Sequence, residues 1–104
     1  MDKKVFYLLH LANKAGKLRF GMGEVERSCS FNKAKLVLFA EDFSQNSRKK
    51  IEKLKIVKKV SFIEFSNKKK YGFEFHKRDL GILSIEDINF AKGISDLFKS
   101  GTED

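Results

Sequence analysis

Three short runs rich in apolar and β-prone residues, Lys35–Ala40, Val60–Phe65 and Leu80–Ile85, alternate along the chain with stretches whose apolar residues recur every three or four positions. Runs of that length suit strands, and the spacing between them suits amphipathic helices. Strands alternating with helices admit few architectures, chiefly a sheet with helices packed on both faces. Lys35–Ala40 is apolar from Leu36 onward, so it reads as a central strand covered on both sides. Leu18–Phe20 is a marginal further strand, which makes four. The absence of Pro, of repeats and of any linker fits one domain at 104 residues. Residues 1–98 are expected to form it, with 99–104 as a frayed tail.

The helices are placed by periodicity and stop signals. Val5, Leu8, Leu9 and Ala12 form one stripe over Lys3–Lys14, and Gly16 stands where a helix C-terminus favours glycine. His10 lies off that stripe and reads as a partly exposed polar residue. A short helix is expected over Glu24–Phe31. Ser44 is placed to cap a helix to about Lys55, with Ile51 and Leu54 inward and Arg48, Lys49, Lys50 and Lys53 outward. Ser66 is placed to cap a short helix through Tyr71. Gly81 suggests a close backbone approach. Glu86–Phe98 is an amphipathic last helix, with Ile88, Ala91, Ile94, Leu97 and Phe98 on its inner side.

A chain of this size buries a sizeable core without metal or disulfide support. Its single cysteine, Cys29, has no internal partner and reads as a small core residue in a reducing compartment. The apolar run Val5–Ala12 is too short and too broken for a signal peptide. No segment approaches the ~20 apolar residues of a membrane span. A cytoplasmic protein is expected, with no membrane partner. The net charge of +8 points to a polyanionic partner.

The stretch that gives that charge a shape is Gly16–Arg27, where three glycines fall within eight residues. Gly16, Gly21 and Gly23 relax the backbone, and Lys17, Arg19 and Arg27 surround it. A helix starting near Gly23 would turn unpaired N–H groups outward beside these cations, an arrangement suited to phosphate. Glu24 would repel a bare phosphate. A carboxylate does accept from base N–H groups, so the combination suits a nucleic acid whose bases are also read. Lys77 and Arg78, beside His76, form a second basic loop. Since each loop follows a helix and leads into a strand, both are expected at one end of the sheet.

Enzymatic signals are poor. No Gly-x-Gly-x-x-Gly follows a strand, no P-loop is present, and no spacing of His, Cys or carboxylates suits a metal. Glu41-Asp42, at a strand end, reads as a helix-entry turn. No cofactor, metal or catalysis is expected.

Leu11-Ala12-Asn13-Lys14-Ala15-Gly16-Lys17, then Gly21-Met22-Gly23-Glu24 with Arg27 after it, then the strand ending in Ala40-Glu41-Asp42, together resemble the kink-turn RNA-binding ribosomal-protein family. Its large-subunit members are L-seven-Ae and L-thirty-e, and the resemblance is closest to the small bacterial YlxQ-type members. It runs to the last helix. It implies a three-layer α/β/α sandwich with a four-stranded mixed sheet, and RNA with a sharply bent internal loop. It further implies that Glu24 reads a guanine edge of sheared G·A pairs, that Lys17, Arg19 and Arg27 hold phosphates, and that His76–Leu80 covers a flipped-out nucleotide. Gly23 stands where the strongest binders have Asn, and His76–Asp79 is charged where they carry apolar residues. The expected function is thus a monomeric, ribosome-associated RNA-binding protein. The second reading is an adaptor between proteins of a ribosomal or transcription assembly.

Overall fold

The computed structural model describes residues 2–99. Its elements run α1 (Asp2–Lys14), β1 (Leu18–Phe20), α2 (Met22–Ser30), β2 (Leu36–Phe39), α3 (Gln45–Val57), β3 (Ser61–Glu64), α4 (Lys68–Phe75), β4 (Ile82–Ile85) and α5 (Ile88–Lys99). Five helices enclose one mixed sheet of order β1-β4-β2-β3. β2 and β3 pair in parallel, and β4 runs against both β1 and β2. The α/β/α sandwich and its marginal first strand are as the sequence implied.

Alternation along the two central strands builds two cores. Leu36, Leu38, Leu83 and Ile85 meet Val5, Phe6 and Leu9 of α1, Tyr71 and Phe75 of α4, and Ala91 and Ile94 of α5. The opposite side chains, Val37, Phe39 and Ile82, meet Val25 and Cys29 of α2 and Ile51 of α3. Burial of this kind contributes roughly 1.5–3 kcal/mol for each large apolar side chain. Burial also pushes the Cys29 thiol upward, partly offset by the Lys58 charge, which leaves it a packing residue. Ser84 sits among the second set, fully buried, and its hydroxyl finds no hydrogen-bond partner among the described residues.

Several local expectations are corrected. Asn67, not Ser66, caps α4 by accepting from Lys70 N–H at 2.8 Å, while Ser66 takes a left-handed φ of 64° in the turn before it. Arg48 is not a free outward cation. It donates to Phe43 O and Glu41 O, pairs with Glu64 and lies over the Phe39 ring, so it pins the turn between β2 and α3. Gly81 makes room for a side chain rather than a backbone, since a Cβ there would stand 2.6 Å from the Phe43 ring. Ile88 is exposed; Asp87 caps α5 at that point, accepting from Asn89 and Phe90 N–H groups, and the helix turns inward from Ala91. Lys99 closes α5, and the rest of the expected tail, 100–104, lies outside the described residues.

Candidate nucleic-acid interface

The glycine-rich stretch divides at β1. Gly16 ends α1 with φ 72°, and Gly21 starts α2 with φ 90°, a backbone that side chains rarely adopt. Gly21 donates to Ile82 O at 2.9 Å, which ties the helix start to the head of β4. No side chain caps this start. Gly23 and Glu24 in its first turn are exposed, and their N–H groups precede the first intrahelical bond, Val25 N–H to Gly21 O. A helix beginning this way presents partial positive charge to whatever approaches.

Because β1 and β4 are antiparallel, the head of β4 lies beside the tail of β1, with Phe20 opposite Leu83. The loop that feeds β4 therefore arrives next to the start of α2. Lys77 crosses that junction, its Nζ 4.8 Å from the centre of the Phe20 ring. His76 and Asp79 both take left-handed φ, 55° and 50°, conformations that His and Asp tolerate better than most residues. Gly72 is needed beneath this loop, since a Cβ there would meet Lys77 O at 2.7 Å. His76, Lys77 and Arg78 are exposed.

The same pairing separates Lys17 from this junction. Leu18 is opposite Ile85, and Glu86 N–H donates to Lys17 O, so Lys17 sits at the far end of β1. The expectation that both basic loops share one end therefore fails for the Gly16–Lys17 turn. It treated two loops that enter strands as equivalent, but those strands run in opposite directions. Arg19 also points toward the Lys17 end. Its guanidinium donates to Leu18 O and Gly16 O and lies 3.3 Å from Glu86, whose carboxylate is nearly buried and also accepts from Ser28 Oγ. The structure thus places Gly21 and Gly23 beside the His76–Arg78 loop at one end and Lys17 at the other, while Arg19, Glu24 and Arg27 line one hollow between them. Arg27 stands on the outer face of α2.

Glu24 is paired as well, accepting from Arg27 at 3.1 Å one helical turn on. Both side chains are exposed, and such a pair contributes under about 1 kcal/mol, so exchange for another partner costs little. Sequence reasoning missed Phe31. It is exposed at 67% and lines a shallow concavity with Arg19, Glu24, Arg27 and Lys33. Its only signal was an apolar residue at the end of a helix and next to a turn. His10 is partly exposed, as expected, and its Nε2 lies 2.7 Å from Glu74; that bond, aided by Lys70, holds the Glu74 carboxyl below its ordinary range.

Fold, charge and an open helix start beside a cationic loop define a small basic α/β/α domain suited to an anionic partner. The chain belongs to the Ribosomal protein L7Ae/L30e/S12e/Gadd45 family, whose model matches residues 3–92. Membership supports an RNA-binding protein of ribosomal type, in a family that is not enzymatic. A solved structure described as a protein with unknown function from Bacillus halodurans superposes with a TM-score of 0.84 at 21% identity, covering 92% of this chain and 97% of the other. At that identity the likeness shows the fold alone. No curated protein sequence matches the chain. None of the described helices is long and apolar enough to cross a membrane.

Proposed function

We propose that this protein docks, without catalysis, onto a structured RNA containing a sharply bent internal loop. The α2 start and the His76–Leu80 loop form the contact. The observation that carries this reading is the antiparallel β1–β4 pairing, which puts an uncapped helix start and a cationic loop side by side within a family of RNA-binding proteins. Exposed amides at Gly23 and Glu24 meet a phosphate. Lys77, Arg78 and Arg27 add sequence-independent attraction, and Glu24, released from Arg27, accepts from a guanine edge. His76 stacks on an unpaired base.

Gel shifts against a kink-turn RNA, the same RNA with its G·A pairs replaced, and a straight duplex test this. Wild type should prefer the first. Glu24→Ala should lose that preference while keeping general affinity. An Ala variant that discriminates as well as wild type removes the reading role. The glycine at position 23 favours a second reading, an adaptor that holds proteins and binds RNA only loosely. Partners that survive nuclease treatment in a pull-down would support it.

A further inference from the structure

The strand directions give the molecule a second end with its own chemistry. β1, β2 and β3 all start on the side away from the α2 N-terminus, and a lysine stands at each entrance: Lys17 before Leu18, Lys35 before Leu36, and Lys59 two positions before Ser61. Lys33 and Lys58 lie in the adjoining turns. Two shallow hollows adjoin there, one lined by Lys17, Arg19, Lys33, Lys35 and Glu86 and the other by Lys35, Lys58 and Lys59, with Asn32 common to both.

The charge at this end is almost unopposed. Lys58 Nζ reaches Asn32 Oδ1 and Lys35 Nζ reaches Asn32 O, both at 3.4 Å. None of the five lysines pairs with a carboxylate among the described residues. Glu86, the carboxylate in these hollows, is satisfied by Arg19 and Ser28, and nearby Asp87 is engaged as the cap of α5. With strands ~4.8 Å apart, the lysine origins span roughly 14 Å. Neighbouring origins, one or two strands apart, are ~5–10 Å from each other, about the ~8 Å screening length at physiological salt, so adjacent charges act together.

We propose that this end is a second RNA-contact surface that holds the phosphate backbone of a duplex segment, independently of any base. It rests on the reading of the chain as an RNA binder but not on recognition of a bend. Like a duplex backbone, the surface is extended and shallow; the charges it offers are lysines, since its carboxylate, Glu86, is engaged by Arg19 and Ser28 and its amide, Asn32, accepts from Lys58.

The test is a salt titration of a 20-base-pair RNA duplex with three proteins: wild type, Lys33→Gln/Lys35→Gln/Lys59→Gln, and Lys49→Gln/Lys50→Gln/Lys53→Gln. All six lysines are exposed, so both variants should fold, and they carry the same net charge. Neutralising three phosphate contacts should make the log–log salt slope shallower by about 2.7. Between 50 and 200 mM salt, wild type should then lose about forty-fold more affinity than the first variant. The α3 variant should keep the wild-type slope. Equal slopes for wild type and the first variant overturn the proposal, and so does an equal loss in both variants, which would make the effect one of net charge. Unchanged duplex binding with lost retention on polyglutamate would give the surface to an acidic protein and also overturn it. A wild type that binds bent and straight RNA alike defeats the reading of the α2 end alone, and the duplex slopes still decide this one.

Discussion

Gly23→Asn is the most informative single change. Position 23 is in the first turn of α2; its φ is not left-handed, and a Cβ there meets nothing within 4 Å. The substitution therefore carries no steric cost, and the helix gains a few tenths of a kcal/mol as glycine's conformational freedom is removed. The carboxamide would stand on the exposed turn beside Glu24, where the strongest relatives by resemblance carry Asn. A good bidentate contact to a base contributes about 1–3 kcal/mol of discrimination. Ordering the side chain offsets roughly 0.5–1 kcal/mol. The net, about 1–2 kcal/mol, is roughly a 5- to 30-fold lower Kd. Titration against a kink-turn RNA and its G·A-less counterpart should show the gain only on the former. A folded variant with no gain, or the same gain on both RNAs, would show that this turn does not face the bases.

Other outcomes follow from local geometry. Glu74 is held below its ordinary pKa by His10, so it stabilises the fold above the unfolded carboxylate pKa, and that stability is lost as pH falls through the folded value. Glu74→Gln should therefore flatten the fall in urea midpoint between pH 5 and pH 3, and an unchanged fall would remove the pair from the acid response. Ser84→Ala removes a buried hydroxyl that has no partner among the described residues and should be neutral or stabilise by up to about 1 kcal/mol; a loss beyond that in denaturant melts would show that the hydroxyl is hydrogen-bonded. Gly72→Ala sets a helix-propensity gain of about 1 kcal/mol against backbone contact at 2.7 Å with Lys77 O. Overpacking of that kind costs about 1–3 kcal/mol, so a net lowering of Tm is expected, with weaker RNA binding from a displaced loop.

The layered fold was legible because local signals agreed. The unbroken run at Leu36–Phe39 did lie in the middle of the sheet, and the stripe of Val5, Leu9 and Ala12 did face it. Strand direction was not legible. Nothing within Leu80–Ile85 announces that it runs against its neighbours, since direction is decided by which end of the sheet the preceding loop reaches. That hidden fact moved Lys17 away from Lys77. Pairing was equally invisible for Arg48 and Arg19, whose partners lie on other elements. Asn67 outranked Ser66 as a cap because the chain must first turn through a left-handed residue to enter α4, and only the next position then offers its side chain to the helix.

The edge position of β1 has a consequence for synthesis. Its strand neighbour is β4, with α2, β2, α3, β3 and α4 made in between, and the turn at Gly21 is fastened to Ile82. The ribosome thus releases the glycine turn early but without its anchor, and loop closure over most of the chain must come before that anchor forms. A partly translated copy carries every residue of the α2 start and still lacks the scaffold that holds it open. On the proposed function, readiness to grip RNA at that turn then reports that the polypeptide has been made through β4.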